Sequence, residues 1–132
     1  MGDGYAELVG ITSKRVTVSN LADPSQSFAD DFVVDTGALF SFAPKDRLLA
    51  IGVRPTRTER LRLADGTIVA RAVGDAFFEV AGKRAAAPII FAEPGDATLL
   101  GAVSLEALAL GVNPVSQQLE PVVLLAVGAT RA

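Results

Sequence analysis

Residues 32–38 read Phe32-Val33-Val34-Asp35-Thr36-Gly37-Ala38, an apolar β-branched and aromatic run that ends on a carboxylate. A run without a polar face is expected of a strand covered on both sides. A carboxylate at its end must be hydrogen-bonded or share a proton to offset the cost of leaving water. Gly37 permits a tight turn and close approach of another chain. This pattern suits an aspartate that activates water. It also suits an Asx-type turn at a strand end, where Asp, Thr and Gly are common. These residues alone leave both readings open.

Composition narrows the chemistry. The 132-residue chain contains no His and no Cys. Imidazole-dependent triads, His/Cys zinc sites, iron–sulfur clusters and thiol redox chemistry are therefore excluded, as is a disulfide-stapled scaffold. Acid–base work falls to Asp, Glu, Lys or the single Tyr5, for which nothing speaks. The net charge of −3, with no basic run, argues against nucleic acid as a partner. Half the residues are hydrophobic, more than one soluble domain of this size needs, which points to an oligomer interface. The N-terminal MGDGYAELVG has no signal-peptide pattern, and no apolar run is long enough to span a membrane. A cytoplasmic location without membrane association is expected.

Strands must position Asp35. Alternation and turn residues predict strands over 5–11, 15–19 and 28–34, with a short helix after Pro44 ending before Gly52. Further strands are expected over 58–63 and 67–73, joined by a two-residue Asp65-Gly66 hairpin turn. Strands over 76–80 and 86–91 flank a Gly82-Lys83-Arg84 turn. A helix over 103–110 stops at Gly111. A last hairpin pairs 111–114 with 119–127. The apolar 121–127 segment is either a core strand or a strand shared between subunits. Of Phe77 and Phe78, which face opposite ways on a strand, at least one should be core. Arg60 and Arg62 share one strand face, read as a solvated edge or as a flap edge facing an acidic peptide. The whole chain, 1–132, reads as one all-β domain.

Taken together, VVDTGALFSFAP, the Asp65-Gly66 hairpin and TLLGAVSLEALALGVNP resemble the retropepsin-like aspartic proteases, most closely the small bacterial single-lobe members. The resemblance covers roughly residues 28–121, with its pieces in the family's order. It implies a closed β-barrel lobe with a flap hairpin and one short C-terminal helix. It makes Asp35 the catalytic aspartate. Thr36 becomes the residue that ties two active-site loops together, Gly37 the close-approach glycine, and Ala38 and Ser41 the residues completing the turn. Leu99-Leu100-Gly101 would pack against the Asp loop, and Ala64-Asp65-Gly66-Thr67 would form the flap tip.

The implied activity is aspartic endopeptidase cleavage of extended peptide or protein substrates, without cofactor or metal. Two carboxylates must share a proton in such a site, and this chain has a single Asp-Thr-Gly. A homodimer contributing two copies of Asp35 is therefore expected. Leu39 and Ala102 occupy positions where retroviral relatives carry an acid and an arginine, so dimer contacts should be apolar. The alternative function is a non-catalytic peptide-binding or regulatory module on the same fold.

Overall fold

The computed structural model describes residues 12–131. Nine strands and two short helices follow in the order β1 (Ser13–Ser19), β2 (Ser27–Val34), β3 (Ser41–Pro44), α1 (Lys45–Ala50), β4 (Arg57–Arg62), β5 (Ile68–Val80), β6 (Lys83–Ala92), β7 (Leu99–Leu100), α2 (Ala102–Ala107), β8 (Leu110–Val112) and β9 (Leu119–Pro121). The strand expected over 5–11 lies outside the described residues.

Seven strands form one sheet in the order β1-β2-β7-β3-β6-β5-β4, and a further β1–β5 pairing closes it on itself. Among the described residues, β4 remains outside the ring as an edge, paired to β5 alone. Closure satisfies the ladder groups that an open edge would leave free. The barrel is filled from alternate positions: Val16 and Val18 of β1, Phe28, Phe32 and Val34 of β2, Phe78 of β5 and Ile89 of β6 are buried. Fully burying side chains such as Phe32 or Phe78 stabilises by roughly 1.5–3 kcal/mol each. Phe77 faces outward, under the Arg84 guanidinium 4.4 Å from its ring centre.

The most consequential feature is where β7 sits. It lies parallel to β2, through Val33↔Leu99 and Val34↔Leu100, and antiparallel to β3, through Phe42↔Leu99. The chain thus leaves β2, loops through Asp35, and returns as β3, with β7 filling the gap between the two. Val33 is only half-buried, so the Phe32–Val34 run is covered fully on one face and not on both as expected.

Several local expectations are corrected. Residues 68–80 form one strand, without the break expected after Val73. Gly74 stays in register opposite Ile89, and it is glycine because a Cβ there would lie 2.7 Å from the Arg54 carbonyl oxygen. The β5–β6 turn is Ala81-Gly82, both with positive φ, so Lys83 and Arg84 belong to β6. Helix α2 ends at Ala107, where Leu108 caps it and Ala109 takes a φ of 54°; Gly111 lies in β8 and is not its stop. Strand β9 ends at Pro121, and residues 122–127 do not continue it. They are no core strand: Val123, Leu125 and Val127 are at least nine-tenths exposed.

Candidate active site

The loop after β2 is built by the strand that fills the gap. The Asp35 N–H donates to the Leu100 carbonyl at 3.0 Å, which extends the β2–β7 pairing by one residue into the loop. The Asp35 Oδ1 then accepts the Gly37 N–H at 2.9 Å, and the Ala38 N–H donates to the Asp35 carbonyl at 3.2 Å. The Asx-type turn and the candidate catalytic carboxylate are therefore the same structure. A Cβ on Gly37 would stand 3.2 Å from that Oδ1, so the glycine leaves room for the carboxylate within its own loop. Asp35 is half-buried while Thr36 and Gly37 are exposed, so the carboxylate sits at the surface of the lobe with one oxygen committed to its own loop.

Beneath it, the two loops are locked together. Ala102 N–H donates to the Ala38 carbonyl at 2.8 Å, and Val103 N–H to the Leu39 carbonyl at 3.0 Å. Gly101 passes so close that a Cβ would meet the Phe40 carbonyl carbon at 2.7 Å, its oxygen at 2.8 Å and the Ala38 oxygen at 2.9 Å. All three are backbone atoms, which cannot swing aside as a flexible side chain would. The Ser41 hydroxyl accepts the Gly101 N–H at 2.9 Å and shares a 2.6 Å hydrogen bond with Ser104. Both serines are fully buried. Their mutual bond satisfies polar groups that would otherwise be costly in this interior.

The residues expected in the two loops, Thr36 apart, fall within this one assembly. Asp35, Gly37, Ala38, Ser41, Leu100 and Gly101 are joined by hydrogen bonds or close contact, and Leu99 flanks them in β7. Thr36 is exposed. Ser104 was not expected. Its signal was a serine in the apolar helix pattern, four residues before buried Leu108 and beside buried Leu105.

The flap is the β4–β5 hairpin. Its tip is a three-residue loop rather than the expected two-residue turn. The Leu63 N–H donates to Thr67 O at 2.8 Å, and the Gly66 N–H to Leu63 O at 2.9 Å. Gly66 has a φ of 89°, while Asp65 keeps a negative φ. This is a type I turn closed by a left-handed glycine, which satisfies Asp-Gly without the two positive φ values of a type I′ turn. The Asp65 Oδ1 accepts the Thr67 N–H at 2.9 Å. That bond, with a second from the Thr67 hydroxyl, holds its carboxyl below the usual range.

Between the Asp loop and the flap lies a cleft of about 520 Å³. One wall is Gly37 to Phe40 with Phe42 and Ile90; the other is Glu59 to Arg62 of β4 with Leu63 after it. Arg57 links the walls, with its guanidinium 5.7 Å from the Phe40 ring centre and 2.9 Å from a Glu59 oxygen. Opposite Glu59, near the start of β5 after the flap tip, Arg71 holds Asp96 through bonds of 2.7 and 3.0 Å. The Asp96 carboxyl is kept below its usual range by Arg71 first, against the opposing effect of burial, with the Glu93 N–H adding to it.

Among solved structures, the chain is similar to the solution structure of simian foamy virus (mac) protease. The TM-score is 0.51 and the identity 20%, over 72% of this chain and 92% of that one. The fold is retropepsin-like. No family model matches the chain, and neither does any curated protein sequence. The likeness therefore rests on architecture. Among the described residues of this retropepsin-like lobe, no helix is long and apolar enough to cross a membrane.

Proposed function

We propose that this protein is an aspartic endopeptidase assembled from two copies of the chain, each supplying one Asp35. The observation that carries the reading is the fixed Asp35 loop at the mouth of a cleft walled by a flap. A loop locked by backbone bonds to Leu100, Ala102 and Val103 holds the carboxylate in one orientation. The chemistry then follows from proximity across a twofold axis. Two carboxyls about 3 Å apart share one proton, because both cannot ionise at once. The ionised Asp35 takes a proton from a water that attacks the scissile carbonyl. The protonated Asp35 donates to the carbonyl oxygen, and the tetrahedral intermediate collapses as the first Asp35 passes the water's proton to the leaving amine nitrogen. Exposed Thr36, on the same surface, would bond across the axis to the partner's loop.

Two apolar surfaces support a second copy as the partner. Leu39, 65% exposed, projects beside the Asp loop, and the 122–127 tail carries a row of exposed valines and leucines. The test is peptide cleavage by wild type and by Asp35→Asn, with sedimentation equilibrium on both. Cleavage by a dimer, lost in Asp35→Asn, is the expected result. Full activity of Asp35→Asn overturns the mechanism. A second reading, a non-catalytic module that holds an extended peptide in the same cleft, is favoured by one observation: Leu39 and Ala102 replace the charged pair that resemblance to retroviral enzymes leads one to expect. A chain that stays monomeric at every concentration and binds peptides uncut would establish it.

A further inference from the structure

We infer that the cleft selects peptides with acidic side chains flanking an apolar centre, and that Arg60 and Arg62 are the residues that select them. The inference rests on the reading of this cleft as a peptide site. It comes from a mismatch of charge. The chain is net acidic, yet the β4 wall of the cleft carries two arginines that meet no carboxylate among the described residues. Elsewhere Arg15, Arg57 and Arg71 of the sheet and Arg47 of α1 each pair with a carboxylate, and Arg84 of β6 lies over the Phe77 ring instead. Arg62 bonds only to the Gly66 carbonyl at 3.3 Å, and this leaves its charge uncompensated.

Asp35 lies at the cleft mouth on the side of the opposite wall, and the acids on the β4 side do not cancel this field. Glu59 lies on the same wall, but Arg57 already holds it at 2.9 Å. Asp65 sits at the flap tip, beyond the cleft lining, with an oxygen turned onto its own loop. Arg60 and Arg62 are two residues apart on an edge strand, so they project from one face, roughly 7 Å apart. An extended peptide alongside β4 has the same period and would present alternate side chains to both. The apolar part of the lining, Phe42, Leu61 and Ile90, fits the residues between the acids. In a dimer each flap brings its own pair, so acids are favoured on both sides of the bond to be cut.

The experiment uses two synthetic peptides that share an apolar centre and differ only in carrying Glu or Gln on each side. An exposed ion pair is worth up to about fivefold in affinity, so kcat/KM should favour the Glu peptide by roughly five- to twentyfold in low salt. Raising salt from about 0.05 to 0.5 M should collapse that preference, without any substitution. Arg60→Gln/Arg62→Gln should bring the ratio to about one, and Arg60→Glu/Arg62→Glu should favour a Lys-flanked peptide instead. Equal cleavage of the two peptides by wild type, or a preference unchanged by salt and by both variants, overturns the inference. If wild type cleaves neither peptide, fluorescence anisotropy of the same labelled peptides separates the two claims. Arginine-dependent binding of the Glu peptide then upholds this inference while the peptidase reading fails. Absence of binding, or equal binding of the two, overturns it.

Discussion

Replacing Ser41 by alanine tests whether the loops under Asp35 are held as the hydrogen bonds describe. The Ser41 hydroxyl is the sole partner of two buried groups, the Gly101 N–H at 2.9 Å and the Ser104 hydroxyl at 2.6 Å. Leaving a buried polar group unpaired costs about 1–3 kcal/mol, so Ser41→Ala, which strands two, should cost roughly 2–6 kcal/mol. Ser104→Ala removes only the partner of the Ser41 hydroxyl, which keeps the Gly101 N–H, and should cost roughly 1–2 kcal/mol. The double variant leaves only the Gly101 N–H unpaired. It should therefore be no less stable than Ser41→Ala alone, and more stable by whatever penalty the stranded Ser104 hydroxyl carried.

Equilibrium urea unfolding of all four proteins, with midpoint and slope fitted separately, measures this cycle. A loss of this size is a large fraction of a domain's usual margin of about 5–15 kcal/mol, so it shifts the midpoint visibly. Simple additivity of the two single losses would refute the reasoning, because it would mean that the serines do not share their hydrogen bonds. The cycle also bears on activity. Ser41 sits between the Asp loop and Gly101, so cleavage should fall in Ser41→Ala more than in Ser104→Ala under conditions where both remain folded.

Other perturbations should behave as follows. Asp35→Asn should lower cleavage by at least about a thousandfold, while its urea midpoint stays close to wild type because the Gly37 N–H can bond to the amide oxygen; a matched pair of assays checks this. Gly101→Ala forces three backbone atoms apart and should cost roughly 1–3 kcal/mol or more, as in overpacked cores, with cleavage lost wherever the protein still folds. Asp96→Asn should cost about 1.5–3 kcal/mol at neutral pH through the lost bonds to Arg71. Because the folded Asp96 carboxyl is held below its usual range, that contribution is complete above the unfolded value of about 3.9 and disappears as pH falls through the lower folded value. Unfolding of wild type and variant should thus converge in acid; a gap that stays constant to low pH would contradict the assignment.

Much of this was legible because the relevant signals are local. Asp35, Gly37 and Gly101 are residue types that the close packing of backbone demands, and Phe32, Val34 and Phe78 follow strand periodicity. What the sequence concealed depends on tertiary partners. Gly74 looked like a break, since nothing local reveals that the Arg54 carbonyl crosses over it. Asp65-Gly66 suits two hairpin turns, and only the Leu63–Thr67 register selects the three-residue one. Gly111 resembled a helix stop, but Ala109 had already taken the left-handed conformation two residues earlier. Ser104 passed as an ordinary helix residue because its partner lies 63 positions away. The cleft wall was visible only as a run of arginines, since their lack of carboxylate partners is a fact of three dimensions.

The replaced charge pair leads to a last expectation. Leu39 and Ala102 occupy adjacent loops that backbone bonds already join, through Ala38 O and Leu39 O. An ion pair between their side chains would add little rigidity within the lobe, so its absence leaves Asp35 as well fixed as before. What changes is the surface offered to a second copy, which is an exposed leucine beside the carboxylate and an apolar tail. Association through such surfaces is not screened by salt, and salts excluded from protein surfaces strengthen it. Capture of acidic peptides by Arg60 and Arg62 is screened. The two responses should therefore run in opposite directions in one sample: as sodium sulfate rises, sedimentation equilibrium should show a tighter dimer while the preference for Glu-flanked peptides fades. Leu39→Glu places two carboxylates near the axis and should weaken the dimer by at least about tenfold while leaving the monomer's unfolding unchanged. A dimer that loosens as sulfate rises, or that ignores Leu39→Glu, would mean that the copies meet through some other surface.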